Sequence, residues 1–171
     1  MFAGDGTGTR VILDGEKVRV KKKVVLTVGN GMMGDDGAGA LLAQLMRQAP
    51  LDEWEVINGG AAPENVLHRV RELAPEQVLL VDAADMDLPP GSVRRIQDDK
   101  LDDLFMFTTH TLPLTFLIEA LREFVPRVDL LGIQPEVVAF GYPMSETVKG
   151  AVEQIYDELR RGDHDHSEGF A

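Results

Sequence analysis

The chain has no cysteine in its 171 residues. Disulfides, thiolate nucleophiles and cysteine-based zinc sites are therefore excluded together. Bases are scarce as well, 17 against 29 acids, which leaves a net charge of −12. That balance repels a phosphate backbone and argues against nucleic acid as a partner. The only basic cluster, Arg19 with Lys21, Lys22 and Lys23, runs straight into an apolar strand. Ser92, Ser145 and Ser167 are the only serines, and none lies in G-x-S-x-G, so a serine-hydrolase elbow is absent. An H-E-x-x-H helix and a G-K-[ST] phosphate loop are also missing. No apolar run approaches the roughly 18 residues of a membrane helix. The opening segment MFAGDGTGTR lacks the apolar stretch of a signal peptide. These absences lead to the expectation of a soluble, cytoplasmic protein without membrane contact.

The composition that remains, 44% hydrophobic and 27% charged, is that of an ordinary globular domain. The length fits one domain at roughly 100–200 residues each. Within residues 1–171, three parts are expected. Residues 1–22 read as a mobile N-terminus and an appended hairpin, with Asp14-Gly15 as its turn. In this reading Lys21 to Lys23 keep the hairpin edge soluble. Residues 23–161 read as the core and 162–171 as a flexible tail, whose His164 and His166 are read as solvated.

Along the core, continuous apolar runs at 24–29, 77–83 and 128–133 suggest strands covered on both faces. WEVING (54–59) reads as a strand, SVRRIQ as an edge strand and 137–143 as extended chain. Helical spacing predicts helices over 38–48, 62–73, 114–124 and 146–161, and DDKLDDLF is a short helix candidate. Pro50 stops the first helix, Pro63 suits the first turn of the second, and Ser145 caps the last. The alternation predicts an α/β three-layer sandwich on a mainly parallel sheet. If the second strand lies on one side of the first and the third on the other, a binding crevice opens at their carboxyl ends. No helix face is unusually apolar, so a monomer is expected.

Acids land at that crevice. The first turn reads Gly29-Asn30-Gly31-Met32-Met33-Gly34-Asp35-Asp36-Gly37. It satisfies the dinucleotide pattern G-x-G-x-x-G literally. Asp35 and Asp36, however, occupy the helix start where a pyrophosphate would bind. One carboxylate about 5 Å from a pyrophosphate charge costs roughly 3 kcal/mol at an effective dielectric of 20. Helix capping accounts for one of the two acids, not both. The third strand ends in Asp82, and His110 precedes a helix. Each has a plain structural explanation alone; together, two carboxylates and an imidazole suit a divalent cation with open coordination positions. Zinc, nickel, manganese and iron all remain open on ligand type.

Five blocks in order, V-G-N-G-M-M-G-D-D-G-A-G, N-G-G-A-A-P-E-N, L-L-V-D-A-A-D-M, T-T-H-T-L-P-L and L-G-I-Q-P, strongly resemble the nickel–iron hydrogenase maturation proteases. The likeness is greatest to the branch that processes the hydrogenase 3 large subunit. It runs from about Val24 to the last helix and leaves the hairpin outside. It implies an α/β/α sandwich around a twisted five-stranded sheet. The implied activity is an endopeptidase that removes a C-terminal extension from the nickel-loaded large-subunit precursor. The resemblance places the metal ligands at Asp36, Asp82 and His110; where the metal does not itself activate water, Asp36 or Asp82 is the candidate general base. It leaves Asp35 free to cap. The metal implied is nickel, carried by the substrate, and zinc or cadmium can take its place in vitro. Asn58 stands where the family often has Asp. Met32, Met33 and Met86 are expected to flank the site, either as a flexible lip for the precursor or as core packing. A dinucleotide-dependent oxidoreductase and a non-catalytic metal-binding chaperone are the competing readings.

Overall fold

The run Gln77–Ala83 is buried along its whole length because it is the middle strand of a five-stranded sheet. The computed structural model describes residues 10–13, 16–19, 22–96 and 114–162. In chain order the strands are β1 (Arg10–Leu13), β2 (Glu16–Arg19), β3 (Lys23–Thr27), β4 (Trp54–Asn58), β5 (Gln77–Ala83), β6 (Val93–Ile96) and β7 (Arg127–Ile133). The helices are α1 (Ala38–Gln48), α2 (Leu67–Leu73), α3 (Leu114–Arg122) and α4 (Glu146–Arg161). The main sheet has the order β4-β3-β5-β7-β6, parallel throughout except for β6, which runs antiparallel to β7. β1 and β2 pair with each other as a separate antiparallel sheet.

Period-two alternation in the strands divides the core. Val24, Leu26, Val78, Leu80, Val128 and Leu130 pack with Val70 of α2 and with Leu117, Ile118 and Leu121 of α3. Val25, Leu79, Val81, Leu131 and Ile133 pack with Leu42 and Met46 of α1 and with Val148, Val152 and Ile155 of α4. Each such side chain contributes about 1.5–3 kcal/mol by leaving water. This two-sided burial is why the strands read as unbroken apolar runs. Among the described residues no helix is long and apolar enough to cross a membrane.

The punctuation follows the sequence. α1 ends at Gln48, just before Pro50. Ser145 Oγ accepts from the Val148 amide at the start of α4, and Gly162 closes that helix at φ 80°. Three expectations need correction. The second helix opens as a 3-10 turn, Pro63–Val66, before becoming α-helical. Residues 137–143 join no strand; they form a loop turning at Gly141, φ 74°. Lys22 and Lys23 do not line the hairpin edge. Lys23 opens β3, with its ammonium 5.6 Å from the Trp54 ring centre, and Lys22 pairs with Glu55 at 2.8 Å. The hairpin turn Asp14-Gly15, Lys21, the helix candidate at 98–105, the block with His110 and the tail after Gly162 lie outside the described residues.

Candidate active site

From β3 the chain moves to β4 on one side and then returns to β5 on the other, so the sheet parts at the carboxyl ends of β3 and β5. The loop after β3 fills this place. It is sewn to both neighbours: Val28 N donates to Val81 O at 2.9 Å and Gly29 N to Gly60 O at 2.9 Å. Asn58 secures the same corner, its Oδ1 accepting from Thr27 Oγ1 at 3.3 Å and from Gly60 N at 3.0 Å. Among the described residues only its acceptor oxygen is used there, which Asn supplies as well as Asp.

The loop then folds back over itself. Gly29 sits at φ 135°, and a Cβ on it would lie 2.1 Å from the carbonyl oxygen of Asp36. Glycine is required because the Asp36 backbone passes directly over it. Asn30 N donates to Asp36 Oδ2 at 2.8 Å, closing a ring around the carboxylate. Asp35 and Asp36 fall in a 3-10 turn, Gly34–Gly37, and are only 0% and 5% exposed. The glycine pattern therefore surrounds the chain's own carboxylate. The Asp35 amide goes to Val137 O and the Asp36 amide to Met33 O. The amides a pyrophosphate would use are taken, and the dinucleotide reading falls with them.

Asp35 does not cap its own helix, contrary to the expectation above; the 3-10 turn and α1 have no side-chain cap. Its carboxylate instead reaches across the molecule. Oδ2 accepts from the amides of Glu136 (2.8 Å) and Val137 (3.0 Å) and from Ser145 Oγ (3.0 Å), while Oδ1 accepts from Ser145 N at 2.7 Å. Burial alone would push this carboxyl up; the bonds from Val137, Ser145 and Glu136 outweigh it and hold it below the usual carboxylate range.

Asp82 lies one residue before the end of β5, opposite Gly132 of β7, and is 0% exposed. By alternation it shares the face of Val78 and Leu80, the one covered by α2 and α3. The loop that follows it is pinned by Gln134, directly after β7. Gln134 Oε1 accepts from the amides of Met86 (2.6 Å) and Leu88 (3.3 Å), and its Nε2 donates to Asp85 Oδ1 at 3.1 Å. The sequence reading gave Gln134 no role. A polar residue closing the apolar run VDLLGI was the signal available.

Asp36 and Asp82 thus both lie at the carboxyl ends of the parallel strands, and the turn bearing Asp36 packs against β5. His110, which precedes the start of α3, lies outside the described residues. Among the described residues no three His, Cys, Asp or Glu side chains gather as a metal site. The donor chemistry present is a pair of buried carboxylates, which suits a divalent cation held by oxygen ligands, or proton abstraction from water. Of the three methionines expected at the rim, Met32 is 61% exposed, while Met33 and Met86 are half-buried.

The layered parallel sheet with acids at its switch point defines an α/β enzyme domain. A family model described as hydrogenase maturation protease matches residues 40–161. The chain is 52% identical over 136 residues to the hydrogenase 3 maturation protease of Escherichia coli K12, covering 80% of this chain and 87% of that one. Its structure matches the solution structure of the endopeptidase HycI from Escherichia coli with a TM-score of 0.79 and 50% identity, over 88% of this chain and 95% of that one. A [NiFe] hydrogenase maturation protease from Thermococcus kodakarensis matches at a TM-score of 0.71 and 25% identity, over 82% and 91%. The chain belongs to the hydrogenase maturation protease family and is a peptidase.

Proposed function

We propose that this endopeptidase removes the C-terminal extension of the large-subunit precursor of a nickel–iron hydrogenase. The precursor's nickel serves as the recognition tag, and Asp36, Asp82 and His110 complete its ligand set. The substrate is a protein already loaded with metal, and the enzyme acts as a cytoplasmic monomer. One observation supports this reading above the others. A fully buried carboxylate, Asp82, stands next to last in the middle strand, and a loop packed on that strand closes around a second, Asp36.

Asp35 has four donors in place. Asp36, which accepts from Asn30 N, and Asp82 lie at the carboxyl ends of β3 and β5, the place this reading gives to the scissile carbonyl. The chemistry assigned to them is general base catalysis. A carboxylate takes a proton from water, the water oxygen bonds to the scissile carbonyl carbon, and the C–N bond then breaks as the proton passes to the departing amine. The substrate's metal polarises that carbonyl or orders the water.

The test is to incubate Asp36→Ala, Asp82→Ala and His110→Ala with nickel-loaded precursor and follow the size shift on a gel. Each is expected to be folded and inactive. Full cleavage by any of them removes that residue from the mechanism. Metal-free precursor is expected to remain uncut, and its efficient cleavage would dismiss nickel as the tag. Zinc or cadmium is expected to occupy the same ligands in vitro.

A further inference from the structure

The sheet edge that bears Asp36 and Asp82 has two features that the cleavage chemistry does not use. The first is an apolar, aromatic turn held out into solvent. Phe140 is 71% exposed and Tyr142 60%, and they flank Gly141, whose Cα faces open space. The turn is braced: Tyr142 N donates to Ala139 O at 3.2 Å, and Gly141 N donates to Met32 O at 2.9 Å. The second bond ties the backbone of exposed Met32, from the Asp36 loop, to the turn that carries the two aromatic residues, with Val138 close by in the chain. Large exposed apolar groups on a fixed scaffold mark contact surfaces, and holding them in place beforehand lowers the cost of ordering on binding.

The second feature is the charge of this edge. Four described loops meet here, at 28–37, 59–66, 84–92 and 134–145. Their charged residues are Asp35, Asp36, Glu64, Asp85, Asp87 and Glu136; none is Lys or Arg. Asp35 is consumed internally, but Glu64, Asp85, Asp87 and Glu136 are exposed. A surface of one sign selects a partner of the other.

We infer that this edge docks the protein substrate through an apolar segment carrying basic residues. Phe140, Tyr142 and Met32 supply the apolar contact, and Glu136, Asp85 and Asp87 the acidic rim. The inference rests on the peptidase reading above, because the turn adjoins the loop that carries Asp36. A second copy of this chain is disfavoured as occupant, since it would bring the same acids against this rim. An acidic peptide is disfavoured for the same reason.

The test is steady-state cleavage of nickel-loaded precursor by the wild type, by Phe140→Ser with Tyr142→Ser, and by Glu136→Lys with Asp87→Lys. Both double variants are expected to raise KM roughly tenfold with kcat kept, the usual effect of removing central contact groups. Added salt is expected to raise KM for the wild type and to have little effect on the charge-reversed variant. An unchanged KM in both variants, with the wild type cutting normally, overturns this inference and leaves the function intact. Failure of the wild type to cut the precursor in any metal state overturns the function and this inference with it. Light scattering that shows a wild-type dimer dissociated by the aromatic substitutions assigns the turn to self-association and overturns the inference as well. If the serine variant melts below the wild type, the charge-reversed variant, altered only at exposed side chains, decides alone.

Discussion

Asp35 receives both the amide and the hydroxyl of Ser145, at 2.7 and 3.0 Å, across 110 residues of sequence. The same hydroxyl accepts from Val148 N at 3.3 Å, so one serine both caps α4 and anchors the loop of the site. Since Asp36 is the next residue, its position depends on that anchor. Asp35→Ala would remove the shared acceptor of the Glu136, Val137 and Ser145 donors, which are only part-buried. At about 1–3 kcal/mol for each unsatisfied group, a loss of about 3 kcal/mol or more is expected. Urea unfolding at pH 7 measures it, and cleavage should fall in parallel.

Acidification should expose the same carboxylate. Burial opposes ionisation of Asp35, but the hydrogen bonds prevail and its folded value lies below the ordinary 3.8. An ionised Asp35 therefore favours the folded state. That contribution is complete above about pH 4, near the unfolded value, and is lost as pH falls through the folded value. Wild type should lose stability below pH 4 more steeply than Asp35→Asn. Parallel unfolding curves for the two proteins down to pH 3 would sink the assignment.

Two glycines make opposite predictions. Gly29 is at φ 135°, with the Asp36 carbonyl 2.1 Å from where its Cβ would stand. Gly29→Ala must push the Asp36 loop away, so cleavage should be lost and the melting temperature lowered. Gly150 lies inside α4 with nothing within 4 Å of its missing Cβ. Gly150→Ala should stabilise by about 0.5–1 kcal/mol through helix propensity, with activity unchanged. Thermal melting and a cleavage assay read both.

The parts of this molecule legible in sequence are those whose cause is local. VVLTVG and QVLLVDA announce buried strands because both faces of β3 and β5 are covered, and Asp82 stands out against that apolar run. The glycines around Asp36 could be read as making room, though not for what. Asp35 was misread as a cap because its partners lie more than 100 residues away, at 136–145. Residues 137–143 carry strand-forming side chains, but their place is taken: β6 occupies the free edge of β7. Gln134 and Asp129 went unremarked for a related reason, since a polar residue within or just after an apolar strand declares its partner only once the sheet has formed.

Asp129 is the control for the site, a buried acid at the other end of the sheet. Its Oδ2 accepts from Gln77 Nε2 at 3.0 Å and Arg95 Nη2 at 2.7 Å, with Arg127 Nε at 3.0 Å. The side chains of Arg95 and Asp129 are 4% and 0% exposed. Removing one partner of a buried pair leaves the other charge stranded at a cost of about 3–5 kcal/mol. Asp129→Leu should therefore unfold at much lower urea. Adding Arg95→Met removes the stranded guanidinium and should restore part of that loss, a coupling that two independent sites would not show. Under folding conditions both variants should keep the wild-type kcat/KM, since Asp129 lies three rows down the ladder from Asp82 and its ion pairs take no part in the proposed cleavage. If the double variant were no more stable than Asp129→Leu alone, the Arg95–Asp129 pairing would carry no weight. A fall in kcat/KM of the folded variant would instead link the two ends of the sheet.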